Sequence, residues 1–269
     1  MTTATAPSPP TAPASPEGGH FWADTGLVFG RCLRATLRSK TSLYFGMLQP
    51  LLFLALFGPL LTRLDLGQEG SSWQMLVPGL LIQLALLGGS YVGMGQLVER
   101  TTGVVDRMRV TPVSPPAMLL GRTLRDVVQL VAQSVLLVLL GLAFGLRAPW
   151  WGIVVGLAFV AVLSAALAAL SHGLGMRVKT PPEFAAIANT IVLPLMLLSG
   201  LLLPMELAPD WLEGVSRAVP FRYTVDAVRD VFRGDFSTAG VAVGAAVTVG
   251  FAAVCLAGAA RLFRGRSQG

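Results

Sequence analysis

Few residues in this 269-residue chain could do covalent chemistry. Gly88-Gly89-Ser90 and His172 together offer a serine–histidine dyad of the kind an intramembrane protease would use. That chemistry needs the two side chains at matching depth. The apolar runs described below set Ser90 mid-to-cytoplasmic in one span and His172 near the cytoplasmic end of another, and no second signature supports the dyad. Cys32 and Cys255 lie near opposite ends of the chain in no metal-ligand or Cys-x-x-Cys spacing, so they read as small apolar packing residues. No Gly-x-x-x-x-Gly-Lys-Ser/Thr phosphate loop occurs, so the chain cannot bind ATP by that device. The residue types therefore predict no catalytic centre and no metal site.

The elements that carry these residues follow from composition. Hydrophobic residues make up 54% of the chain and charged residues 13%, about half the roughly 25% of a soluble domain. Mean hydropathy is +0.68. This balance excludes a coiled coil, a disordered chain and a water-soluble enzyme, and leaves an all-α integral membrane protein. Its net charge of +6 does not signal nucleic-acid binding, because the 20 basic residues are spread between apolar runs and not gathered on one solvated face.

A membrane-crossing helix needs about 20 mostly apolar residues. Six runs qualify, at about 43–62, 75–98, 127–146, 150–176, 184–204 and 241–260. Pro50, Pro59, Pro78 and Pro194 should kink the helices that hold them. Residues 1–19 are Pro/Ala-rich and read as a disordered tail ahead of one domain over 20–265. Of the segments outside the spans, one alternating set holds fourteen Lys/Arg and six Asp/Glu, and the other holds six and eight. The resulting +8 against −2 predicts both termini on the cytoplasmic side. Residues 21–40 carry Arg31, Arg34 and Arg38 on one helical face and Val28, Phe29, Cys32 and Leu33 on the other. Such a helix lies in the membrane interface or packs on its own protein.

Polar residues inside the runs usually face protein or a water-filled path. Asp126, Gln129 and Gln133 form a stripe that enters the third run from its cytoplasmic edge, and Gln83 and Ser90 share a side of the second. No Asp, Glu, Lys, Arg or His sits at the centre of a run, which argues against an ion-coupled carrier. Gly89/Gly93, Gly141/Gly145, Gly152/Gly156 and Gly240/Gly244 have the spacing of close-packing sites. Between the fifth and sixth runs, Val225, Val228 and Phe232 share one helical face, while Arg222, Asp226, Arg229 and Asp230 give ion pairs on the other.

The segment 99–125 is too polar to span and too patterned for a simple connector. Its run Glu99-Arg100-Thr101-Thr102-Gly103, followed by Thr111-Pro112-Val113-Ser114 and Gly121-Arg122, resembles the cytoplasmic loop of type-2 ATP-binding-cassette (ABC) permeases. The likeness is greatest to drug-resistance permeases of the daunorubicin exporter type. Two further stretches match in order and spacing: Leu198-Ser199-Gly200 through Pro204 and on to Pro209-Asp210-Trp211-Leu212, and Val219-Pro220-Phe221-Arg222-Tyr223-Thr224-Val225-Asp226-Ala227-Val228-Arg229. The resemblance covers about 20–265. Phe221 and the doubled Pro115-Pro116 depart from the family's usual pattern.

The resemblance implies a bacterial plasma-membrane exporter subunit that works as a homodimer with two separate ATPase subunits, which hold the ATP and Mg. In this family the stretch 99–114 is a coupling helix seated in an ATPase cleft, and the residues carried over are Glu99, Arg100, Gly103, Arg107, Pro112, Val113 and Ser114, with Arg109 in the same loop. The second and fifth spans would flank the route of an amphipathic small molecule, making Gln83, Ser90, Tyr91, Asn189, Thr190 and Met196 its candidate lining. Short helices after the fifth span would form an external gate bearing Trp211, Phe221, Tyr223, Asp226 and Arg229. A lipid or a cell-wall glycan precursor is the alternative cargo.

Overall fold

The computed structural model describes residues 21–38, 40–61, 72–101, 115–201, 208–236 and 239–264. Every regular element among them is an α-helix, nine in all. The expected tail 1–19 lies outside the described residues.

α1 (Phe21–Arg38) has the two faces read from its sequence, with Arg31 and Arg34 exposed and Thr25 buried. Its apolar side rests on α4 (Pro115–Ala143). Gly121 permits this approach, since a Cβ there would lie 2.9 Å from Val28. α2 (Lys40–Leu61) is the helix of the first apolar run, and the apolar part described is Gly46–Gly58. Five helices are long and apolar enough to cross a bilayer: α3 (Ser72–Thr101), α4, α5 (Trp150–Arg177), α6 (Pro181–Leu198) and α9 (Ala239–Arg264). The 28 residues of α5 reach about 42 Å at 1.5 Å each, more than the roughly 30 Å of a hydrocarbon core.

Two boundaries differ from the sequence reading. The third run, set at 127–146, belongs to a helix that begins at Pro115, close to the start near Ala117 that the sequence suggests, and stops sooner than the run. Pro115 and Pro116 open α4, at positions whose N–H groups have no partner within a helix anyway. Gly145, at φ +110°, closes it: the Leu146 N–H bonds Gly141 O at 2.8 Å and the Gly145 N–H bonds Leu142 O at 3.2 Å. The fifth run, set at 184–204, ends as helix at Leu198, because Gly200 turns the chain at φ +68°.

α3 is the hub. It is buried almost continuously from Trp73 to Leu86 and packs on α2, α4, α5, α6 and α8 (Pro220–Arg233). Leu80, Leu81, Leu137, Leu163, Val228 and Phe232 belong to the central core. A helix that is apolar all round has to be surrounded in this way. α7 (Asp210–Ser216) and α8 lie between α6 and α9 in the chain, and α8 sinks the Val225–Val228–Phe232 face into the core. By contrast α6 buries Phe184, Ala188 and Val192 and leaves Ile191, Leu193 and Leu197 exposed, a surface suited to lipid or a second protein.

Two of the glycine pairs sit at helix crossings. A Cβ on Gly93 would lie 2.0 Å from the Ser171 carbonyl oxygen, and one on Gly152 would lie 2.1 Å from that of Val231. Gly89 and Gly156 face Leu167 and Phe232 at 2.8 and 2.5 Å. Gly141 packs near Val77, whereas Gly145 serves as the cap of α4. The ends of the bundle differ in character. One carries Arg31, Arg34, Arg100, Arg122, Arg125, Arg177 and Lys179; the other carries exposed Trp150, Trp151 and Trp211. Aromatic residues at that level suit a membrane–water interface.

Candidate functional site

At the basic end, polar side chains join the three helices that flank the 102–114 segment. Arg122 of α4, 7% exposed, donates to Glu99 of α3 at 2.8 Å. Arg100 donates to the Met176 carbonyl near the end of α5 at 2.7 Å. Glu99 and Arg122 therefore close the base of the segment like a stem. Gly103, Arg107, Arg109, Pro112, Val113 and Ser114 lie outside the described residues.

One level deeper is a pair that sequence reading did not link. His172 Nε2 of α5 and Asp126 Oδ2 of α4 are 2.7 Å apart, and both side chains are 1% exposed. Arg125 Nε lies 3.0 Å from the other Asp126 oxygen. Asp126 is the twelfth residue of α4, about 16 Å along its axis, so a titratable pair is buried within the bundle although none sits at a span centre. The protease dyad is not assembled. His172 meets Asp126, and Ser90 Oγ makes no hydrogen bond to it; Ser171 Oγ donates instead to the Ser90 carbonyl at 2.6 Å and accepts from the Gly93 N–H at 2.9 Å.

The six candidate path residues do not converge on one lining. Tyr91 OH donates to Asn189 Oδ1 at 2.5 Å, tying α3 to α6. Thr190 Oγ1 donates to Ala186 O of its own helix at 2.8 Å. Gln83 is buried in the core with neither amide atom hydrogen-bonded, and Met196 packs against the same core. Tyr91 alone of the six borders a cavity of about 430 Å³ between α2, α3 and α4. The Asp126–Gln129–Gln133 stripe read from the sequence lines its other wall.

At the aromatic end, Trp211 is exposed, while Phe221 is buried and meets Phe251 edge-on at 5.1 Å. Tyr223 OH donates to the Arg217 carbonyl at 2.9 Å. Asp226 lies 3.8 Å from Arg222 and 3.9 Å from Arg229. A hydrogen bond from Arg217, then its charge, holds the Glu213 carboxyl below the ordinary carboxylate range, with Arg222 adding to the effect. A lowered carboxyl pKa favours the fold above the ordinary glutamate value and loses that contribution as pH falls through the folded value.

Arg229 is not on an exposed ionic face. It is buried, and its Nη2 donates to the carbonyls of Gly200 at 2.8 Å and Leu201 at 3.3 Å. These carbonyls follow the last turn of α6, so Arg229 fastens α8 to that turn. Arg229→Met, which keeps the apolar stem, is expected to lower stability by about 1.5–3 kcal/mol. An unfolding titration of the purified protein in micelles checks this; an unchanged midpoint would remove the fastening role.

Five helices long and apolar enough to cross a bilayer, packed around α3, define a multi-pass membrane protein. The model of the ABC-2 type transporter family matches residues 24–232, and the chain belongs to that family. It is 26% identical over 250 residues to a daunorubicin resistance ABC transporter permease protein of Streptomyces coeruleorubidus, covering 92% of this chain and 86% of that one. A probable doxorubicin resistance ABC transporter permease protein of Mycobacterium tuberculosis is 23% identical over 227 residues, 82% of each chain. A putative transport permease of Cyanophora paradoxa is 27% identical over 200 residues, 72% of this chain and 69% of that one. Membership makes the chain a non-enzymatic permease subunit of an ABC transporter and implies an ABC ATPase subunit as its partner.

Proposed function

We propose that this chain is the membrane half of an ATP-driven exporter that moves an amphipathic small molecule out of the cytoplasm or inner leaflet. Residues 20–265 form one permease domain of six spans with α2 as the first, both termini cytoplasmic, and α1 lying at the inner interface of a bacterial plasma membrane. Two copies pair with two ATPase subunits, which supply ATP and Mg. The basic end is cytoplasmic and the aromatic end external, in keeping with the +8 and −2 charge split. α7 and α8 then stand at the outer gate.

The observation that carries this reading is the Glu99–Arg122 stem, 2.8 Å across, at the base of the 102–114 segment. ATPase closure would displace the coupling segment, and a stem joined to α4 and, through Arg100, to α5 would move three helices together. The names of the drug-resistance relatives support a drug-like cargo.

The test is reconstitution of the full chain with its cognate ATPase. Glu99→Ala should insert normally yet weaken the coupling of ATP turnover to transport by about 5–150-fold, the usual span of a coupling free energy. Transport per ATP at the wild-type ratio would end the coupling role of the stem.

A further inference from the structure

The α2–α3–α4 cavity has the chemistry of a binding site for one kind of amphiphile. Its volume of about 430 Å³ is in the range of small-molecule pockets. Gly46, Gly88 and Gly95 border it. Six polar side chains converge on it: Gln49, Tyr91, Arg125, Asp126, Gln129 and Gln133. Neither Gln49 nor Gln129 is hydrogen-bonded among the described residues, so their amides present donors and acceptors to the cavity. The two ionic groups compensate each other, with Arg125 3.0 Å from Asp126. The wall therefore offers hydrogen bonds without a net charge to select an ion.

A second feature begins where the first ends. Gln49 also borders an apolar groove of about 260 Å³ made by Leu48, Leu52, Phe53, Leu56 and Phe57 along the outward face of α2. Leu52 and Leu56 are 50% and 67% exposed, so the groove opens sideways to the bilayer. From Arg125 to Gln133 the polar wall rises about 12 Å, and from Leu48 to Phe57 the groove runs about 13 Å toward the aromatic end. This is the order of head and tail in an inner-leaflet lipid.

We infer that this site takes a membrane-embedded amphiphile with an uncharged, hydroxyl- and carbonyl-bearing head, the head in the polar cavity and the alkyl tail along α2. The inference rests on the permease reading, and it assigns the cargo route to α2 and α4 as well as α3.

The test uses the chain alone in lipid nanodiscs, with a dodecyl β-D-glucoside that carries a photoreactive diazirine in its tail. Labelled peptides should come from α2 and α4. A Cβ on Gly95 meets nothing within 4 Å, and Gly95 borders the cavity, so Gly95→Phe adds a ring there without crowding at the Cβ itself. It should cut labelling at least about tenfold. Gln49→Leu, at an exposed position, should do the same and carries the test if the first variant does not fold. Gly250→Phe, which adds the same ring at an open position of α9, should leave labelling unchanged. Dodecyl sulfate and dodecyltrimethylammonium should not compete. Even labelling of α6 and α9, indifference to Gly95→Phe and Gln49→Leu, or competition by either charged amphiphile would overturn the site. If labelling fails while the ATPase still docks and responds, the site falls and the permease reading stands.

Discussion

Replacing Gly93 with valine is expected to keep α3 and α5 from docking, at a cost of at least about 3 kcal/mol. The contact is reciprocal: a Cβ on Gly93 would lie 2.0 Å from Ser171 O, and one on Gly175 would lie 2.5 Å from Gly93 O. Both obstacles are backbone atoms, so no rotamer change relieves them and the helices must move apart. Separation would also break the hydrogen bonds from Gly93 N–H to Ser171 Oγ and from Ser171 Oγ to Ser90 O. Because lipid gives helices no hydrophobic drive to associate, close packing and interhelical hydrogen bonds supply most of what holds this seam. An unfolding titration in micelles should show a large fall in midpoint, together with loss of a monodisperse species. Gly250→Val, at a position with nothing within 4 Å, should stay within about 0.5 kcal/mol of the wild type. Equal behaviour of the two variants would mean that the α3–α5 crossing is not formed as described.

Asp126→Ala should have an effect of similar size. Removing one partner of a buried hydrogen bond costs about 1–3 kcal/mol, and more where a charge takes part, because the other partner stays buried without it. Here the group left buried is His172 Nε2, in a side chain 1% exposed. Asp126→Asn keeps an oxygen facing the imidazole and should cost less. His172→Leu combined with Asp126→Leu should cost less than the sum of the single changes, since the two share one interaction. The same unfolding titration reads all five variants, the two single leucine changes included. A loss below about 1 kcal/mol for Asp126→Ala would show that the pair contributes no more than a surface contact.

The parts legible in the sequence were those with a local period. Runs of about 20 apolar residues mark membrane helices, and the 3.6-residue repeat of Val225, Val228 and Phe232 marks the buried face of α8. The Asp126–Gln129–Gln133 stripe was visible for the same reason, and it lines a cavity. Errors arose where a partner comes from far along the chain. Arg122 and Arg125 read as loop charges, and Asp126 as the cytoplasmic foot of a polar stripe, because none of the three has a local reason to be fully buried. Glu99 and His172, 23 and 46 residues away from Arg122 and Asp126, provide that reason. Arg229 read as an exposed ion-pair residue for the same cause: its acceptors are the carbonyls of Gly200 and Leu201, which the turn after α6 leaves available. The end of that helix depends in turn on a glycine inside an otherwise apolar run.

The site at the basic end was legible chiefly through resemblance, since degenerate loops have no period to read. Glu99 and Arg100 are engaged in the structure, Glu99 with Arg122 of the same motif and Arg100 with the Met176 carbonyl of α5, which the motif does not name. On the proposed function, this stem passes the motion of an ATPase to the bundle. That role is tested most directly by measuring ATP turnover of the cognate ATPase in proteoliposomes with and without the chain. The ATPase should bind the membrane only when the chain is present, and the chain should change its turnover. An ATPase that neither binds the reconstituted chain nor alters its rate in response would contradict it.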